Sequence, residues 1–107
     1  MTFDINEVLA NMLEAIKGSV KQDWNIVKSA TSKFIQSRKE RLSLLADMRL
    51  HNQISQPFFE ARLADEQKII ESELHAMAII SKVVAQNAAN AAIEVLSKAV
   101  SIAVKAL

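Results

Sequence analysis

The chain of 107 residues has no cysteine, one glycine (Gly18), one proline (Pro57) and five aromatic residues. Without cysteine there is no disulfide and no thiolate metal site. Average usage would supply about seven glycines and five prolines. Turns and strand bends draw on those two residues, so their scarcity predicts an almost wholly helical chain. A single glycine also cannot build a phosphate-cradling loop. No charge sign dominates: 13 Lys and Arg stand against 12 Asp and Glu, a formal +1, which leaves no global field for a polyanion. Long apolar runs are missing too. A membrane span needs about 18 residues with few charges, whereas the run from 83 to 93 carries Gln86, Asn87 and Asn90, and Lys82, Glu94, Lys98 and Lys105 punctuate its surroundings. The N-terminal stretch MTFDINEVLANML has Asp4 and Glu7 ahead of the first lysine, Lys17. It therefore lacks the basic start of a secretory signal, and a cytoplasmic location is expected.

What the chain does have is apolar surface and helix formers. Half of its residues are hydrophobic, enough to argue for a folded core, and Ala, Leu, Glu, Lys and Gln are good helix residues. Asp4 as N-cap places Glu7 at the capping-box position, with Phe3 and Val8 as a hydrophobic staple. From Val8 the apolar residues Leu9, Met12, Leu13, Ile16, Val20, Trp24, Val27, Phe34 and Ile35 recur at helical steps. The stripe predicts one continuous helix, about 4–53, with a soft point at Gly18.

HNQISQPFFE, residues 51–60, is the strongest punctuation. Ser55 can cap a second helix with Pro57 in its first turn, and Ile54 and Phe59 form a second staple. The expectation is a turn at about 54–56, a second helix at about 57–106, and a single domain over residues 1–107. The fold class expected is all-α: a long antiparallel helical hairpin, coiled-coil-like, about 75 Å long. Partners across it should sum to roughly 111, which sets Arg38 opposite Glu73. The polar stretch 36–41 interrupts the first stripe. It reads either as a solvated face, or as a polar layer of Arg38 and Arg41 with Glu66, Glu71 and Glu73 that fixes the register.

In AQNAANAAIEVLSKA, residues 85–99, alanine is dense, and Ala78, Ala85, Ala92, Ala99 and Ala106 recur every seven residues. Small residues at heptad spacing make a seam that another backbone can approach closely. Ile93, Leu96 and Val100 flank it on one side, and Val95 and Ile102 on the other. One antiparallel partner covers only one side of such a helix. In a two-helix rod the other side would stay wet, well beyond the few hundred Å² usual on a soluble monomer. Dimerisation into a four-helix bundle is the expected remedy, with a second helical protein as an alternative partner. The oligomer interface is thus assigned to Ala85, Ala92, Val95, Ala99, Ile102, Ile93, Leu96 and Val100.

Chemistry is sparse. No serine or histidine pairing sets a nucleophile beside a base, so an enzyme is not expected, nor a cofactor. Asp47 with His51 and Glu71 with His75 are spaced by four, which matches surface ion pairing and not the Glu-x-x-His spacing of helical di-iron sites. Lys17, Lys21, Lys28, Lys33 and Arg38 give the first helix a basic stretch that could meet RNA or DNA phosphates. ADEQKIIESELH, residues 64–75, is similar to a stretch of the Rom family of plasmid RNA-binding proteins, which are dimeric helical hairpins. That resemblance spans about a tenth of the chain and carries no residue roles. The reading is therefore a non-enzymatic, self-associating scaffold, adaptor or assembly subunit. The alternatives are nucleic-acid binding, and membrane activity of the wide apolar face.

Overall fold

The structure, a computed structural model, describes residues 3–107. They form α1 (Ile5–Val20), α2 (Trp24–Ser37), α3 (Lys39–Leu50), α4 (Gln56–His75) and α5 (Lys82–Lys105), with a 3-10 turn, Lys21–Asp23, joining α1 to α2. The expected start holds. The Asp4 carboxylate accepts from the amides of Asn6 at 2.9 Å and Glu7 at 3.5 Å, while Phe3 and Val8 pack on the core.

Two long helices are not what form. The first is broken at Lys21, whose φ of 62° and ψ of −123° reverse the backbone, and again at Arg38. The second is broken over residues 76–81. The chain measures 41 × 24 × 19 Å, against the roughly 75 Å expected of a 50-residue helix. Gly18, the expected soft point, is inside α1, and the bend comes three residues later.

The physical reason lies in α5. Its buried residues are Ala85, Ala88, Ala89, Ala92, Leu96, Val100 and Ala103, and it packs mainly on α1 and on α4, with α3 also touching it. Alanine keeps a helix thin, so neighbours approach closely on two sides at once. Each helix break forfeits a few backbone hydrogen bonds at roughly 0.5–1.5 kcal/mol net apiece. Folding back buries Met12, Ile16, Leu74 and Leu96 completely, at about 1.5–3 kcal/mol per large side chain. Burial wins. The apolar side that a two-helix rod would leave wet is covered within the chain.

The α3–α4 connection is closer to expectation. Asn52 takes the left-handed φ of 57°. Its amide donates to the Arg49 carbonyl at 3.1 Å, and the Gln53 amide donates to the Met48 carbonyl at 2.8 Å. That is the Schellman ending of α3. Ser55 then caps α4 by accepting from the Phe58 amide at 3.2 Å, with Pro57 in the first turn. Because Asn52 stops α3 early, the turn centres near 52–53 and not 54–56. Arg49 Nε donates to Gln56 Oε1 at 2.8 Å, and farther along Arg38 meets Glu66 instead of Glu73.

Candidate functional site

Most of the alanine seam lies inside the chain. Ala85, Ala92, Leu96 and Val100 are buried, and Ile93, Val95 and Ala99 are half-buried. Only Ile102, 49% exposed, stands clear of the core. Ala78 and Ala106 are exposed at either end of the heptad series. Ala88 and Ala89, off that series, are fully buried, so the seam is a broad strip set by helical packing and not a seven-residue line.

The basic residues divide. Lys17, Lys21, Lys28 and Lys33 are exposed, and none of them joins an ion pair among the described residues. Arg38 is drawn inward. Its Nη2 lies 2.9 and 2.8 Å from the two carboxylate oxygens of Glu66, and its Nε 3.3 Å from Oε2. Arg41 Nε adds a fourth bond to Glu66 Oε1 at 3.2 Å. Glu66 is 3% exposed, and a buried carboxylate persists only when its lone pairs are filled in this way. The stretch 36–41 is thus divided: Arg38 and Arg41 meet Glu66, while Gln36, Ser37, Glu40 and most of Arg41 stay exposed. Glu71 instead accepts from Gln67 at 2.9 Å, and Glu73 is exposed.

Beside this triad, between α3 and α4, runs a groove of about 480 Å³. Leu45 and Met48 lie in it, Leu44, Phe58 and Ile69 stand along it, and Glu40, Arg41, Arg62, Asp65 and Glu66 supply its charges. Leu44 is 60%, Phe58 50% and Ile69 39% exposed. Arg62 lies over the Phe58 ring, 5.4 Å from its centroid, and is held there by Asp65 at 2.9 Å. Ile69 also lines a shallower depression with Phe34, Lys68, Ser72, Glu73 and Ala76, so apolar surface continues along the outer side of α4. An apolar middle with a charged edge is the anatomy of a protein interface.

The sequence reading missed Leu44, Phe58 and Ile69, yet a signal for them is present. Each is the first member of a doublet, Leu44–Leu45, Phe58–Phe59 and Ile69–Ile70, whose second member is buried at 9%, 1% and 0% exposure. Neighbours on a helix point about 100° apart. If one member faces the core, the other marks a second apolar face. Ile79 beside buried Ile80 repeats the pattern.

The acid–histidine pairs hold no ligand geometry. His51 Nδ1 lies 2.8 Å from the backbone carbonyl of Asp47, not from its carboxylate. Among the described residues no group of three His, Asp or Glu side chains is placed to share a metal ion, and no helix is long and apolar enough to cross a membrane. No protein-family model, curated protein or solved structure matches the chain.

Proposed function

We propose that this is a non-enzymatic helical interaction protein, a self-associating scaffold, adaptor or assembly subunit. The observation that supports it is the α3–α4 groove. Three large apolar side chains stand exposed together there, beside an ion triad, centred on buried Glu66, that ties the two helices together. Monomers expose such residues singly as a rule, and a cluster of them marks a contact surface. Light scattering behind size exclusion, over a wide concentration range, is the test. A discrete even multiple of 11.9 kDa supports self-association. Mass of one chain throughout, unaltered by any helical partner, removes it.

A second reading, nucleic-acid binding, draws support from the four exposed lysines outside ion pairs, Lys17, Lys21, Lys28 and Lys33. It predicts affinity for RNA or DNA that falls steeply with salt and with loss of Lys21, Lys28 or Lys33. No shift of mixed RNA and DNA at low salt would dispose of it.

A further inference from the structure

The breaks in this chain keep helical phase. Across the 76–81 connection, buried Leu74 and buried Ala85 are eleven residues apart, about three full turns. Across the Lys21–Asp23 turn, buried Val20 and Trp24 are four apart, and across Arg38, buried Ile35 and Leu42 are seven apart. Were each break to anneal into helix, the buried residues would form two unbroken stripes, save Ile80, which is buried in the connection and would point roughly 120° away from Leu74. A chain built only for the folded-back arrangement has no need to keep that phase.

The breaks also stand near one level. Contacts between the two arms pair Arg49 with Gln56, Arg38 and Arg41 with Glu66, and Thr31 with Met77, an antiparallel run whose residue numbers sum to 104–108. Extended onward, that register sets Lys21–Asp23 opposite residues 81–87, directly after the 76–81 connection. Neither break contains glycine or proline. In the second, only the amides of Ala76, Met77 and Ile80 reach backbone carbonyls before α5 begins. At the first, Lys21 holds a positive φ that a side chain resists.

We infer that the compact chain is a helical hairpin folded in half at these two breaks, and that a second copy can replace either half. In the exchanged dimer, α1 and α5 of one copy pack on α2, α3 and α4 of the other. The contacts between halves are the same in both forms, so they cancel. What differs is the breaks and the concentration. Opening relieves the backbone at Lys21 and gives the amides of residues 77–84 helical hydrogen bonds. It also gives up the Ser81 cap, whose hydroxyl accepts from the Val84 amide at 3.2 Å. Connections of this kind favour exchange. The inference rests on the reading that the chain acts by self-association, and the experiment separates the two.

The protein is unfolded in denaturant, refolded at high concentration, and measured by light scattering and small-angle X-ray scattering. The expected product includes a dimer whose longest dimension approaches 75 Å, where the closed chain has 41 Å. Ser81→Ala removes a cap from each closed chain and should raise the dimer constant roughly 30-fold. Ile79→Pro, at an exposed position of the connection, blocks the annealed helix and should abolish the dimer while leaving the monomer folded. Lys21→Gly eases the closed form and should lower the dimer fraction without depending on proline. A wild type and Ser81→Ala that stay monomeric throughout overturn both exchange and self-association. A dimer that persists in Ile79→Pro and Lys21→Gly, but is lost in Leu44→Gln, overturns exchange alone and moves the interface to the α3–α4 groove.

Discussion

α5 and the α3–α4 pair each bring helices together, and they do so with opposite materials. α5 uses Ala85, Ala88, Ala89 and Ala92, all fully buried, with no polar group among them. α3 and α4 use long side chains, a carboxylate clasped by two guanidinium groups, and leave a groove of about 480 Å³ on their outer side. Small residues make a contact that is complete within the chain. Long ones leave apolar surface standing. The residue type most abundant in α5 therefore serves the fold, and the exposed apolar cluster of Leu44, Phe58 and Ile69 lies elsewhere.

The largest expected effect comes from forcing bulk into the alanine contact. Ala92→Leu should cost about 3 kcal/mol, a fall of roughly 15 °C in melting temperature for a domain of this size. Leu44→Gln, on the groove, should stay within about 0.5 kcal/mol and act on solution mass instead. Thermal melts of both variants check this. Equal losses would erase the distinction between a closed contact and an open one.

Next in size is the ion triad. Glu66→Ala leaves Arg38, only 22% exposed, facing an empty site, and should cost about 2–3 kcal/mol. Replacing Arg38 and Arg41 by Met together with Glu66→Leu should restore most of that, since a buried ion pair adds little over well-packed apolar groups. Denaturant titration of both variants decides it. A triple variant as unstable as Glu66→Ala would mean that the triad stabilises the pair beyond fixing its register.

These regions differ as much in how they can be read from sequence. The start of α1 at Asp4 and the start of α4 at Ser55 are encoded within a few residues, by cap, staple and proline, and both stand where those signals put them. The break at 76–81 has no such signal. AMAIIS contains good helix formers, and Ser81 as a cap has no glutamate three residues on. What ends α4 there is the whole of α5 folding back onto α1 and α4, a gain spread over residues far apart in the chain. The alanine seam was legible as a close helical contact, but not whose helix would fill it. Arg38 was legible as polar in an apolar stripe. Its partner moved from Glu73 to Glu66 because Asn52 ends α3 ahead of Ser55. The groove escapes a stripe at helical spacing, which keeps one residue of each doublet and discards the other.

Smaller again is the cap that separates the locally encoded turn from the other. Ser55→Ala should cost about 1 kcal/mol, seen as a shift in the denaturation midpoint at unchanged slope. It should leave solution mass alone, because the α3–α4 turn is the same in the closed and exchanged arrangements. A change of mass would mean that this turn, too, opens.

The smallest effect is expected at the glycine. Gly18 is in α1, and a Cβ built on it meets nothing within 4 Å. Gly18→Ala should therefore gain about 0.5–1 kcal/mol, from helix propensity and a less free unfolded chain. The positive φ sits instead at Lys21, where a lysine side chain resists the backbone and glycine would not. Gly18→Ala and Lys21→Gly, which together move the glycine by three residues, should each raise the melting temperature. A loss of stability in Gly18→Ala would place the bend at Gly18 after all, and with it the point at which α1 departs to lie along α5.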